Sequence, residues 1–237
     1  MITKAFLLAA GLGTRLRPMT DTIPKCLVPI CDKPLLGWWI DLMEKHGIEQ
    51  VLINLHHLSD QVVAFINSYA TKIKFHFFYE EKLLGSAGTL RENKEFIKDE
   101  NAFFILYADN LTNYDLTLFS EFHEKRDQLL SMALFDADNP QLRGIAMLDK
   151  NDIIIDFEEK PKFPKSTLAN AGLYIAKPEI IDIIPNLEIT DIGYHLLPQL
   201  LGKMAGWKSN NFLLDIGTIY NFNKANKEWS QIIKRGR

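Results

Sequence analysis

Two glycines and two cations open the chemistry of this chain. Leu8-Ala9-Ala10-Gly11-Leu12-Gly13-Thr14-Arg15-Leu16-Arg17-Pro18 runs from an apolar stretch into a turn, and Pro24-Lys25 follows. Gly11 and Gly13 let the backbone approach an anion closely, because successive N–H groups in such a turn form an anion-binding concavity. Arg15 can fork onto two phosphate oxygens while Lys25 supplies a mobile point charge, a division of labour that suits a polyphosphate. Two commoner readings fail on spacing. The third glycine of a dinucleotide fingerprint would fall on Leu16, and no G-K-[ST] follows as in a P-loop. The G-x-G by itself is equally a tight turn with surface cations.

Carboxylates supply the complementary chemistry. Asp109 ends the apolar run Phe103 to Tyr107, and ligands gather at the carboxyl ends of strands in parallel sheets. Asp215 precedes Ile216-Gly217-Thr218. Each could be no more than a helix cap. Beside a triphosphate, the two make sense as hard oxygen ligands for Mg²⁺, with phosphate oxygens and water completing the shell. Glu158-Glu159-Lys160 is, on its own, a solvated charge run at a strand end. The six histidines add little: His56-His57 is an adjacent pair without helical metal spacing, and the others are scattered.

The elements that must position these groups follow from hydrophobic periodicity. Lys4 to Ala10 reads as a buried strand, and Leu35 to Lys45 as a helix closed by His46-Gly47. Val51 to Leu55, Ile73 to Tyr79 and Ala102 to Tyr107 read as strands. Asp60 to Tyr69, Ala87 to Ile97 and Asp115 to Lys125 read as helices. Ser131 to Phe135, Ile145 to Leu148, Ile153 to Phe157 and Leu173 to Ala176 then give a strand-rich second half. This alternation predicts an α/β fold: a doubly wound, mostly parallel, Rossmann-like mixed sheet flanked by helices. The short connections at Pro140, Pro161 and Pro164 contain no low-complexity linker, so the expectation is one domain, 1–237.

The motifs, taken together, resemble those of the sugar 1-phosphate nucleotidyltransferases. Gly11-Leu-Gly-Thr-Arg-Leu-Arg-Pro18 and Pro24-Lys-Cys-Leu27 match that family's amino-terminal signature, with Cys26 where proline or alanine is usual. Leu84-Gly85-Ser86-Ala87-Gly88-Thr89, Glu159-Lys160-Pro161, Asn170-Ala171-Gly172-Leu173-Tyr174 and Asp215-Ile216-Gly217-Thr218 match later motifs in family order. Ala108 replaces the usual glycine before Asp109. The resemblance implies an NTP held by Leu8, Ala10, Gly11, Gly13, Thr14 and Arg15, and contacted by Glu80, Gly85 and Ser86. It implies Arg15 on the β and γ phosphates, Lys25 by the reacting phosphates, and Asp109 and Asp215 on Mg²⁺. Lys160 would bind the phosphate of the acceptor and Glu159 its hydroxyls, with Gly144, Asn170 and Gly172 as further sugar contacts. Asn170 is otherwise a turn residue and Gly172 a packing position.

Base and sugar are less sharply specified. Glu80 stands where pyrimidine-using relatives often place glutamine, and a carboxylate can accept from the N1–H and N2–H₂ donors of guanine, which favours GTP. The other use of Glu80 is to solvate its loop from an exposed position. The glycine segments also resemble those of mannose or heptose 1-phosphate guanylyltransferases, and uridylyl or thymidylyl transfer stays open. So does a catalytically silent nucleotide-sugar sensor, with a dehydrogenase further behind. At 47% hydrophobic, 24% charged and a formal net charge of -3, the chain has no basic field for nucleic acid or polybasic membrane attachment. No segment reads as a membrane span. Cys26 and Cys31 fit a reducing, cytoplasmic setting. Trp38-Trp39 reads as core packing, with a contact between like subunits as its other use.

Overall fold

The computed structural model describes residues 1–235, so the last two residues of the expected 1–237 domain lie outside the described residues. The strands are β1 (Lys4–Leu8), β2 (Pro29–Ile30), β3 (Lys33–Pro34), β4 (Gln50–Leu55), β5 (Lys74–Tyr79), β6 (Phe103–Tyr107) and β7 (Asn110–Thr112). They continue with β8 (Leu130–Asp136), β9 (Gly144–Leu148), β10 (Ile154–Glu159), β11 (Leu168–Ala176), β12 (Met204–Lys208) and β13 (Leu213–Asp215). The helices are α1 (Leu35–Lys45), α2 (Ser59–Ser68), α3 (Ser86–Glu92), α4 (Leu116–Arg126) and α5 (Ile219–Arg235). The expected α/β architecture, a mixed sheet with flanking helices, is present. Its contacts gather into two compact units. One holds Met1–Phe6, Leu83–Leu106 and Asp115–Asn210; the other holds Leu7–Lys82, Tyr107–Tyr114 and the chain from Asn211 on.

In the first unit the strand order is β10-β9-β11-β6, and β8 pairs with both β11 and β12. β11 runs antiparallel to β6, β8 and β9, while β12 runs parallel to β8. Phe103, Phe104, Ile105, Leu106, Tyr174 and Ile175 are almost fully buried, each contributing about 1.5–3 kcal/mol of burial. Asp115 caps α4, its Oδ1 accepting from the N–H groups of Thr117 and Leu118, both at 3.0 Å. β11 is interrupted between Asn170 and Tyr174, where its register shifts and Gly172 adopts φ +70°. A bulge of this kind re-aims side chains, and its left-handed residue favours glycine.

In the second unit β4 runs parallel to β5, pairing Asn54 with Phe78 and Leu55 with Tyr79. α1 buries Leu35, Leu36, Trp39, Ile40 and Met43 along one helical stripe. Trp39 Nε1 donates to the Asn110 carbonyl at 2.8 Å, which anchors β7 to the helix. β7 and β13 pair antiparallel, with Asp215 opposite Asn110. The sequence reading overlooked β7, β12, β13, the small β2–β3 hairpin and α5. β2, β3, β7 and β13 have two or three residues each, too few for periodicity to register, but α5 carries a signal: Phe222, Ala225 and Trp229 are spaced three and four apart, and the last two are buried.

Candidate active site

In the second unit, β1 ends at Leu8 and the glycine loop follows. Gly13 takes φ +64°, and a Cβ there would lie 2.9 Å from Thr20 Cγ2 and 3.2 Å from Lys25 Cβ. Glycine is therefore required both by conformation and by the close approach of neighbours. Gly11, Leu12, Thr14 and Arg15 are exposed, while Leu16 is fully buried and ties the turn to the core. Lys25 leaves the next turn with its side chain only 10% exposed, and its Nζ donates to Asp109 Oδ2 at 2.6 Å. Asp215 Oδ1 lies 3.9 Å from the same nitrogen. The ammonium thus compensates two carboxylates brought together by the β7–β13 pairing and by the Ile216 N–H donating to the Asp109 carbonyl at 2.8 Å.

Gly217 completes this arrangement. A Cβ on it would come within 2.7 Å of Asp215 Oδ1 and 2.8 Å of Arg15 Nη2. The residue is thus a bare surface beside which a carboxylate and a guanidinium lie. Among the described residues no three or more His, Cys, Asp or Glu side chains gather as a metal cluster. The donor set at this point is the pair Asp109 and Asp215. Hard anionic oxygens of this kind fit a divalent cation that completes its shell from other oxygens.

The first unit carries a second polar cluster. Glu159 ends β10, and its Oε2 would be 2.5 Å from a Cβ on Gly144 and 2.7 Å from one on Gly193, so its carboxylate packs against two glycines. Burial holds the Glu159 carboxyl above the usual carboxylate range; Asp191 adds to this, while Lys160 and Arg143 oppose it. Lys160 follows at φ +51°, its N–H donating to the Arg143 carbonyl at 3.0 Å. Its Nζ lies 5.8 Å from the ring centre of the exposed Tyr194. Asp191 caps the π-helical turn Ile192–Leu196, its Oδ1 accepting from Gly193 N–H at 2.8 Å and Tyr194 N–H at 3.2 Å. Such turns recur at functional sites.

Several expected residues make side-chain contacts within their own units. Glu80 is not an exposed loop carboxylate: it is 5% exposed, and its Oε1 accepts from Asn54 Nδ2 at 2.9 Å. Its carboxylate thus meets Asn54 inside the second unit and does not solvate the loop. Gly85 and Ser86 fall in the unit that carries Glu159. There Gly85, at φ +79°, packs on the Thr190 backbone, and Ser86 Oγ donates to Asp191 Oδ2 at 2.9 Å while accepting from Ile192 N–H at 2.8 Å. Asn170 shapes the β11 bulge, accepting from Gly172 N–H at 2.9 Å and donating to the Tyr174 hydroxyl at 2.6 Å. Leu8 and Ala10 flank the start of the loop.

The sequence reading missed Asn54, Thr20, Asp191 and Gly193, and assigned no part to Tyr194. Only Asp191-Ile-Gly-Tyr-His195 had a readable signal, an Asp two and three residues before the groups it caps. Trp39 is 2% exposed, and Trp38 stacks edge-on to Trp229 at 5.5 Å, so both serve packing within the second unit.

The family model described as Nucleotidyl transferase matches residues 4–231. A Synechocystis protein named UTP--glucose-1-phosphate uridylyltransferase is 32% identical, over 92% of this chain and 61% of its own length. A Candida glabrata protein named Mannose-1-phosphate guanyltransferase 2 is 29% identical, over 92% of this chain and 62% of its own. The chain thus spans about three-fifths of the length of these curated relatives. The crystal structure of HddC from Yersinia pseudotuberculosis superposes with a TM-score of 0.82 at 24% identity, covering 96% of this chain and 100% of that one, and shares the fold. Among the described residues, no helix is long and apolar enough to cross a membrane.

Proposed function

The chain belongs to the nucleotidyl transferase family, and from that premise we propose that it condenses an NTP with a sugar 1-phosphate, releasing pyrophosphate and an NDP-sugar. The observation that carries this reading is the Lys25 ammonium set against Asp109 and Asp215 directly after a glycine loop. That combination of exposed backbone donors, guanidinium and paired carboxylates is the chemistry of a triphosphate. Glu159 and Lys160 supply what an anionic sugar needs, a hydroxyl acceptor beside a cation. The reading treats the chain as one catalytic domain, with the NTP assigned to Leu8, Ala10, Gly11, Gly13, Thr14, Arg15 and Lys25. The acceptor is assigned to Gly144, Glu159, Lys160, Asn170 and Gly172.

The acceptor phosphate is already an anionic nucleophile near neutral pH, so no protein group has to remove a proton. Its oxygen forms a bond to the α-phosphorus as the bond to the bridging β-oxygen breaks, and the electron pair departs with pyrophosphate. Arg15 holds the outer phosphates, Lys25 balances charge at the reacting one, and Lys160 draws in the second anion against electrostatic repulsion. Mg²⁺ held by Asp109 and Asp215 would supply Lewis-acid charge neutralisation at phosphate oxygens.

The finer reading is GTP with a mannose- or heptose-type acceptor. It is supported by the arrangement of Leu16-Arg17-Pro18, Pro24-Lys25 and Leu84–Gly88, and by the name of the Candida relative. The Synechocystis relative makes UTP with glucose 1-phosphate the competing pair. A matrix of NTPs against sugar 1-phosphates, with and without Mg²⁺ and read by pyrophosphate release, tests class, base and sugar together. Nucleotide binding without turnover anywhere in the matrix would point to a silent sensor. The free thiols Cys26 and Cys31 suit the cytosol, where such substrates would be met.

A further inference from the structure

The glycine loop is held at both ends by side chains that phosphate binding alone does not require. At its start, Ala9 N–H donates to Asn54 Oδ1 at 2.6 Å, and Asn54 Nδ2 donates to Glu80 Oε1 at 2.9 Å. Asn54 and Glu80 are each 5% exposed. Glu80 is itself fixed through its backbone: its N–H donates to the Leu55 carbonyl at 2.8 Å, and its carbonyl accepts from His56 Nδ1 at 2.7 Å. At the far end Thr20, 1% exposed, donates through Oγ1 to the Gly13 carbonyl at 2.8 Å, and its own carbonyl lies 3.1 Å from His57 Nε2.

An amide side chain can turn over, exchanging its oxygen for its nitrogen. A carboxylate oxygen only accepts, so Glu80 compels Asn54 to present Nδ2 to it and Oδ1 to Ala9. We propose that Asn54, oriented by Glu80, is a positioning residue that sets the register of the loop from Ala9 to Gly13 for the NTP, with Thr20 bracing the other end. This rests on the NTP reading above and deepens it: the acidic residue ahead of Leu84-Gly85 acts on the nucleotide through the loop backbone rather than on the base.

The test is a reciprocal exchange. N54D keeps an acceptor for Ala9 but sets a second buried carboxylate against Glu80. E80Q keeps an acceptor for Asn54 but lets the pair turn over. N54D/E80Q restores one carboxylate and one amide in swapped places, with Gln donating to Asp and Asp accepting from Ala9. NTP affinity is measured by calorimetry, and KM for each substrate by pyrophosphate release. We expect N54D to weaken NTP binding about tenfold or more, since a buried hydrogen-bond network is disrupted. KM for the sugar 1-phosphate should stay within about twofold of wild type, and the double variant should recover most of the NTP loss.

Equal loss for both substrates, a double variant no better than N54D, or an E80Q enzyme with altered preference among NTPs would each overturn the inference. If N54D does not fold, N54A, which removes both bonds, takes its place as the single variant, and T20V tests the other brace. Wild-type protein that neither binds NTP nor releases pyrophosphate would refute the proposed function itself, whereas binding that ignores the exchange refutes only the relay.

Discussion

Replacing Gly217 by alanine tests the site through one methyl group. The added Cβ would sit 2.7 Å from Asp215 Oδ1 and 2.8 Å from Arg15 Nη2. Arg15 is long and exposed, so its guanidinium can swing aside. Asp215 is short, and its backbone is held by β7 on one side and by Asn221 Nδ2, which donates to its carbonyl at 2.8 Å, on the other. Its carboxylate must therefore retreat by roughly 0.7 Å to reach ordinary contact at 3.4 Å, and a misplacement on the order of 1 Å costs about a hundredfold in rate. We expect kcat for pyrophosphate release to fall roughly 30- to 100-fold, with the Mg²⁺ requirement moved to higher concentration. Gly217 does not need a left-handed backbone, so circular dichroism and the thermal midpoint should stay close to wild type. A folded Gly217→Ala enzyme with wild-type kcat and unchanged Mg²⁺ dependence would refute the assignment of Asp215 and of its place beside Arg15.

Gly144→Ala and Gly193→Ala both intrude on Glu159 Oε2; each should raise KM for the sugar 1-phosphate about tenfold or more while leaving KM for the NTP near its wild-type value, as substrate-specific kinetics will show. Glu159 should also give the acceptor a pH dependence. Its carboxyl is raised, so the folded chain holds that proton longer than the unfolded one. Its contribution to stability is therefore greatest at low pH and declines as pH rises from the ordinary carboxylate value through the raised one. Acceptor affinity should move oppositely, improving as the carboxylate ionises, and Glu159→Gln should flatten that profile of KM against pH. His123 is 4% exposed with Nδ1 2.8 Å from Ser131 Oγ; burial, helped by Lys177 and opposed by Asp127, pushes it down from 6.5 to about 4. Its stabilising contribution is present above pH 6.5 and lost as pH falls towards 4, about 3 kcal/mol in all. Denaturant midpoints at neutral and acid pH should converge for His123→Gln relative to wild type, and equal acid losses in both proteins would defeat the argument.

Much of the fold was legible because its main elements are local. α1 spans the residues its periodicity names, Leu35 to Lys45, and β6 and the helix after Asp115 lie within a residue or two of their sequence reading. The residues proposed for phosphate and metal could be named from the sequence too, since glycine, arginine, lysine and aspartate declare their chemistry by type and stand in ordered motifs. Their grouping could not be. Asp109 and Asp215 are 106 positions apart in the chain, and β7–β13 pairing, too short to show any period, is what brings both carboxylates to Lys25.

Burial drew the other dividing line. Glu80 reads as a polar loop residue, and only the parallel pairing of β4 with β5 puts it inside, against Asn54 and behind the glycine loop. Nothing local says why Gly193 and Gly217 are glycine; each is bare because a carboxylate rests against it. Sequence by itself determined which functional groups this protein owns and the order of its local elements, because side-chain chemistry and hydrophobic periodicity are properties of short segments. Tertiary structure alone decided which charges meet, which are withdrawn from water and which glycines must stay bare, because proximity and desolvation arise only when distant segments pack.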